Sequence, residues 1–329
     1  MIDKQISEAI RRSQSIGITS HIRPDGDAIG SVLALGLALM NAGKTVEMAL
    51  HNGSTKTFHH LPGISLVKKA FTHDNELYIV VDCSDLERVG GMLQEHAADI
   101  VIDHHITNTL FGKLNLVEAE SVATCAVLAE HMPAWGLTID EEIASTLLSG
   151  ILSDSIGFRT SNTSSASLRI AADLVDKGAV ISTLYNKALL SRPYESIKYW
   201  GYGLARLQQA GGLVWTTLSL EDRKNSGYHN DDDADLTNIL SSINQYDIAM
   251  LIVEQHHSKA KVSWRARPGI NVANLAVSLG GGGHPAAAGA EFSGDLAAVQ
   301  ELVFTKTRDY LKALPEENPI SSSLLDTEQ

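Results

Sequence analysis

Apolar residues recur along this chain in two rhythms, one helical and one extended. Residues 3–14 carry them at helical spacing, and Ile16-Gly17-Ile18-Thr19-Ser20 then reads as a short buried strand ending at His21. Ala28 to Ala42 returns to the helical rhythm and stops at Gly43, a C-terminal helix signal. Thr45–Leu50 is a second strand. Tyr78–Val81 and Ile100–Ile102 are continuous β-rich apolar runs, the pattern of parallel strands covered on both faces. The alternation persists to about residue 185. It predicts an α/β fold, an N-terminal domain with a mostly parallel sheet flanked by helices. Within it, Glu141–Leu152 reads as a helix running into Ser153-Asp154.

The pattern then changes. Ser191-Arg192-Pro193 opens a further helix, followed by Gly211-Gly212, a strand at Leu213–Leu218 and the acidic stretch Asp231-Asp232-Asp233. Ile248–Glu254 and Ala260–Arg265 read as two more strands, and Asn271–Leu279 as a short helix running into the glycine stretch Gly280 to Gly283 and His284. The expected organisation is a first domain at 1–187, a helical linker at 188–205, a smaller C-terminal α/β domain at 206–314 and a disordered polar tail at 315–329. There is no internal repeat of solenoid length.

Composition narrows the functional classes. A net charge of −13 with only 5% aromatic residues argues against coating long nucleic acid, which needs a basic surface and stacking platforms. A small anionic ligand held by metals and a few cations stays compatible. The two cysteines, Cys83 and Cys125, form no paired motif and read as reduced thiols. The start of the chain has no signal-like stretch, and the longest apolar run, Ala28 to Met40, is too short for a bilayer. A cytoplasmic protein without membrane contact is expected. The oligomeric state stays open, a homodimer included.

Candidate chemistry gathers where the apolar runs end. His21 to Asp27 contains His21, Asp25 and Asp27; Asp82 follows Val80-Val81; Asp103, His104 and His105 follow Ile102; Asp154 follows Ile151-Leu152-Ser153. These supply five carboxylates and three imidazoles, enough to hold two divalent cations for attack on a phosphate ester. Hard cations prefer carboxylate oxygens, and the imidazoles favour manganese over magnesium, with magnesium or cobalt as the alternatives to manganese. Taken singly, Asp-Gly-Asp is commonly a surface turn and a strand-end Asp commonly a helix cap. His59-His60 and His256-His257 read as solvated edges. The joint pattern outweighs these bland readings.

The motifs His21-x-x-Pro24-Asp25-Gly26-Asp27, Asp82, Asp103-His104-His105 and Asp154 resemble the DHH phosphoesterases. Gly281-Gly282-Gly283-His284-Pro285 with Ala286 to Gly289 resembles the signature of the DHH-associated domain. The resemblance spans about residues 5–310 and lies nearest the family's oligoribonuclease and 3′-phosphoadenosine 5′-phosphate phosphatase group. It implies that His21, Asp25 and Asp82 bind one ion, and that Asp27, Asp82, His104 and Asp154 bind the other, with Asp82 bridging. His105 would face the scissile phosphate, and Asp103 would accept the far N–H of an imidazole. Gly281, Gly282, Gly283 and His284, as a loop, would bind the nucleotide end of the substrate, with Arg265 on a distal phosphate. Arg159 is a further candidate cation at the phosphate. Where relatives commonly carry Asp-Thr-Gly before an aromatic, this chain has Asp154-Ser155-Ile156-Gly157-Phe158, which keeps the carboxylate and alters the loop.

The implied activity is hydrolysis of short oligonucleotides or 3′-phosphoadenosine 5′-phosphate, with cyclic or linear dinucleotides as the neighbouring alternative. A single-strand exonuclease of the RecJ type would need added binding modules. A pyrophosphatase would lack the glycine-histidine stretch. A non-catalytic nucleotide sensor would show a degenerate ligand set, whereas every expected position is filled.

Overall fold

The computed structural model describes residues 2–53, 56–244 and 246–314, so the expectation for the tail at 315–329 lies outside the described residues. The chain divides into two compact units, the first ending at Ser191 and the second beginning at Arg192.

The first unit runs α1 (Ile2–Arg12), β1 (Ser15–Thr19), α2 (Gly26–Asn41), β2 (Thr45–Met48), β3 (Leu77–Val81), β4 (Ile100–Asp103), β5 (Leu114–Val117), α3 (Thr124–His131), α4 (Glu141–Asp154), α5 (Ser165–Asp176) and α6 (Ile181–Tyr185). Its five strands lie in the order β2-β1-β3-β4-β5, and every pair is parallel. The chain leaves β1 to one side, for β2, and later returns to its other side, for β3. The carboxyl ends of β1 and β3 therefore flank the switch point at which open α/β sheets bind ligands.

The continuous apolar runs are explained by two covered faces. Ile16, Ile18, Ile79, Val81, Ile100 and Ile102 face a core built with helices, among them Ile6, Leu33 and Leu147. Tyr78, Val80 and Val101 point the other way, beneath Val89, Met92, Leu93, Phe71 and Phe111. Those covering residues belong to turns and short 3₁₀ segments rather than long helices. Both faces of the parallel sheet are covered, one of them by helices, in keeping with the α/β fold that the sequence pattern predicts.

A histidine clamp ties α1 to this layer. His131 at the end of α3 has Nδ1 2.8 Å from Asp3 Oδ1 and Nε2 2.8 Å from Glu118 Oε1, while Trp135 Nε1 donates to the same Asp3 oxygen at 2.9 Å. Both ring nitrogens can donate together only in the imidazolium form. Burial pulls the imidazole pKa down, but the two carboxylates outweigh it, and the ring is held more basic than its ordinary value of 6.5. A group more basic folded than unfolded contributes stability in full below its unfolded pKa and loses it as pH rises through the folded one. His131→Gln should therefore lower the melting temperature at pH 6, by a few degrees for about 1 kcal/mol in these partly exposed pairs. The difference should shrink by pH 9; an equal deficit at both pH values would refute the charged clamp.

The second unit comprises α7 (Tyr194–Ala205), β6 (Gln208–Ala210), β7 (Leu213–Leu218), α8 (Leu220–Ser226), α9 (Leu236–Leu240), β8 (Ile248–Gln255), β9 (Lys259–Ala266), α10 (Val272–Ser278), β10 (Gly282–His284), β11 (Ala287–Ser293) and α11 (Leu296–Ala313). Six strands lie in the order β10-β11-β9-β8-β7-β6, with β7 and β8 parallel and the other pairs antiparallel. Trp264, Met250 and Val303 anchor the core on one face, and Tyr199, Leu236 and Leu251 that on the other.

One expectation is corrected. The sequence predicts a loop at the glycine stretch, yet Gly282–His284 is an edge strand paired antiparallel with β11 through a Pro285-Ala286 turn. Its lack of side chains is what permits the pairing. At Gly283, with φ +144°, an added Cβ would sit 2.5 Å from both Ala287 O and Ala288 Cα. No helix among the described residues is long and apolar enough to cross a membrane.

Candidate metal centre

The switch point in the first sheet gathers residues that are distant in the sequence. His21 follows β1 and is buried, and Asp25 caps α2, its Oδ1 accepting from Asp27 N at 3.0 Å and Ala28 N at 3.1 Å. The bland reading of Asp25 as a helix cap is thus true of one oxygen. The other, Oδ2, points toward His21 Nε2 at 3.9 Å. Asp27 lies in the first turn of α2, 1% exposed. Asp82 follows β3 in the left-handed region at φ +53°, a conformation that Asp tolerates better than most residues. Asp103 ends β4, with His104 and His105 next, and Asp154 is the last residue of α4. The ends of α2 and α4 meet at Gly26, where any Cβ would overlap the Ser153 hydroxyl.

Asp82 divides its carboxylate between two groups. Its Oδ2 faces His21 Nε2 at 3.6 Å, and its Oδ1 faces His104 Nε2 at 3.8 Å. His104 Nε2 also faces Asp154 Oδ2 at 3.7 Å. Two sets, His21/Asp25/Asp82 and Asp27/His104/Asp154, each offer ligand atoms within 4.8 Å of one another. These separations are too long for hydrogen bonds. They suit donors placed around a cation at about 2.1 Å, which stand roughly 3 to 4 Å apart.

Backbone carbonyls orient both imidazoles. His21 Nδ1 lies 2.8 Å from Ile22 O, and His104 Nδ1 lies 3.2 Å from Ser121 O. Each Nδ1 is thereby the donor, which leaves the Nε2 lone pair aimed at the carboxylates. His105 is wired differently. Its Nδ1 is 2.7 Å from Asp103 Oδ1, so that nitrogen is committed even though His105, Asp82 and His104 form a third ligand-like group. Asp103 is fully engaged, taking His104 N at 2.8 Å on Oδ1 and Asn108 Nδ2 at 2.6 Å on Oδ2. The imidazole that Asp103 serves is therefore that of His105.

Crowded carboxylates make the site hungry for positive charge. Burial, then repulsion from Asp82 and Asp154, pushes Asp27 well above the usual carboxylate range. Burial first, with neighbouring carboxylates, pushes Asp154 up to about 6. Asp82 moves down despite its burial, because His21, His104 and His105 surround it. His105 is raised by its bond to Asp103, against the pull of burial. Hard oxygen donors, oriented imidazoles and crowded carboxylates fit divalent cations well.

The remaining candidates fall elsewhere. Arg159 is exposed, beyond a turn in which Ile156, Gly157 and Phe158 all have positive φ. Arg265, Gly281 to Gly283 and His284 belong to the second unit. Strand register places Arg265, Ala287 and His284 in one row across β9, β11 and β10, with Ser263, Gly289 and Gly282 in another. Residues paired or two apart along a strand share a face, so Arg265 and His284 flank a floor of small residues. Nothing lies within 4 Å of the Cβ position at Gly282, and Arg265 is half-buried, its Nη1 donating to Trp264 O at 3.1 Å.

Three further contacts support the candidate carboxylates and have no signature in the sequence. Thr124 N and Cys125 N donate to the two oxygens of Asp27 at 2.6 and 2.9 Å, and Asn108 closes the Asp103 network. An isolated Thr opening a helix, or an Asn five residues past a motif, carries no signal that separates it from a turn residue.

Comparison with known proteins agrees with this geometry. Residues 15–151 match the DHH family, N-terminal domain, and residues 213–312 match the DHHA1 domain. The chain is 32% identical over 304 residues to the bifunctional oligoribonuclease and PAP phosphatase NrnA of Thermus thermophilus, covering 90% of each protein. It is 30% identical to the protein of the same name from Mycoplasma genitalium, over 86% of this chain and 90% of that one. An exopolyphosphatase-related protein from Bacteroides fragilis shares the fold, with a TM-score of 0.85 at 23% identity, covering 94% of this chain and 97% of that structure.

Proposed function

We propose that this chain, which belongs to the DHH family, is a divalent-metal-dependent phosphoesterase that hydrolyses very short oligonucleotides and 3′-phosphoadenosine 5′-phosphate. The observation that carries the reading is the division of Asp82 between two donor sets that both converge on the switch point. The names of the Thermus and Mycoplasma relatives support the substrate class.

In this reading His21, Asp25 and Asp82 hold one ion, and Asp27, Asp82, His104 and Asp154 hold the other. These residues would hold two ions, whose chemistry when bound would be to supply an activated water and offset negative charge on the phosphate. The mixed oxygen and nitrogen donors make manganese the preferred ion. His105, with Nδ1–H fixed on Asp103, presents Nε2–H to a non-bridging phosphate oxygen as charge develops there. Arg159 adds a cation at the exposed rim of the first unit.

The row formed by Arg265, Ala287 and His284 suits the nucleotide portion of the substrate: a planar base against small residues and a phosphate on the guanidinium fork. Arg265→Ala should raise KM about tenfold or more with kcat at saturation little changed. A variant with normal KM and reduced kcat would refute that role. Two free, buried thiols agree with a reducing cytoplasm.

The reading is tested by a panel in manganese: a dinucleotide, a longer RNA, 3′-phosphoadenosine 5′-phosphate, cyclic di-AMP and pyrophosphate. The dinucleotide and 3′-phosphoadenosine 5′-phosphate should turn over fastest. Preference for pyrophosphate or long RNA, or turnover unaffected by chelator, would overturn it.

A further inference from the structure

Thr124 stands at the first position of α3, fully buried, and touches both of the central carboxylates. Its backbone N–H donates to Asp27 Oδ2 at 2.6 Å, and its hydroxyl donates to Asp82 Oδ1 at 3.0 Å. The Asp82 oxygen it holds is the one that faces His104; the other faces His21. A carboxylate that must serve two ions has to keep its plane across both. Left free, it can turn until both oxygens serve one.

We propose that Thr124 is a positioning residue that prevents this rotation, and so equips the Asp27/His104/Asp154 set with its share of Asp82. The proposal rests on the two-metal reading above and adds a residue to it. A hydroxyl bonded to Oδ1 leaves that oxygen a further lone pair for the cation. It favours the ionised carboxylate and sets its angle, as the outer partners of metal ligands do elsewhere. The backbone N–H does the same for Asp27 in any substitution at this position. The hydroxyl can therefore be removed while the Asp27 contact remains.

The test compares manganese binding to the whole chain, by titration calorimetry with paramagnetic resonance, in the parent, Thr124→Val and Thr124→Ser. The parent should take up two ions. In Thr124→Val, which keeps the shape and loses the donor, one site should weaken 10- to 100-fold, and the other should stay within about threefold. Thr124→Ser should restore both sites to within about threefold of the parent. Thermal unfolding in chelator checks that all three fold alike. Parent-like binding in Thr124→Val, equal weakening of both sites, or a serine variant as defective as valine would overturn the proposal. A parent that binds no manganese would instead overturn the two-metal reading, a separate and recognisable outcome.

Discussion

Asp82→Ala should lower kcat/KM for a dinucleotide in saturating manganese by at least ~10³-fold, equivalent to about 4 kcal/mol of transition-state stabilisation. The size follows from geometry. The two oxygens of Asp82 face different imidazoles, His21 at 3.6 Å and His104 at 3.8 Å, so one substitution removes a ligand from both sets at once. No neighbour can substitute: Asp27 is tied to α3 by two N–H donors, and Asp25 spends one oxygen capping α2. Asp82→Asn, which keeps the volume, should lose nearly as much, separating lost charge from a packing defect. Near-normal turnover by either variant in manganese would refute the bridging role.

Asp103→Asn should reduce kcat by about 10²- to 10³-fold, with KM and the number of bound ions unchanged, matching the effect of His105→Ala. Loss of one donor to a developing oxyanion has this magnitude. Asp103 faces three N–H donors and offers them only lone pairs: His104 N, His105 Nδ1 and Asn108 Nδ2. An amide in its place puts an N–H where an acceptor is needed, and the His105 ring loses the partner that fixes its tautomer. Measured kcat, KM and manganese stoichiometry decide the matter. A fall in bound metal would make His105 a ligand instead, and an unchanged kcat would dismiss Asp103 from catalysis.

The four acidic-histidine clusters are legible in the sequence because each stands where an apolar run stops, three at strand ends and Asp154 at the end of α4. What joins them was not visible. The order β2-β1-β3-β4-β5 places His21 beside Asp82, and strand order has no local signature. Asp103 was expected to serve an imidazole; only distances show that it serves His105 while Ser121 O holds His104. Thr124 reaches Asp82 across 42 residues, and Asn108 sits in a turn like many others. The glycine stretch misled for a related reason. Glycine in a sequence signals loop-forming freedom, but here it lets an edge strand lie flat against the β11 backbone.

The contact between the α2 and α4 ends has a consequence for ionic radius. Gly26 leaves no space for a Cβ before the Ser153 side chain, so the ends of the helices that carry Asp25, Asp27 and Asp154 lie in direct contact. Calcium needs ligands at about 2.3–2.6 Å where magnesium takes about 2.0–2.1 Å. Admitting the larger ion would require the two helices to spread together with the core packed behind them. Discrimination between sizes of cation would then reside in an uncharged residue that binds nothing.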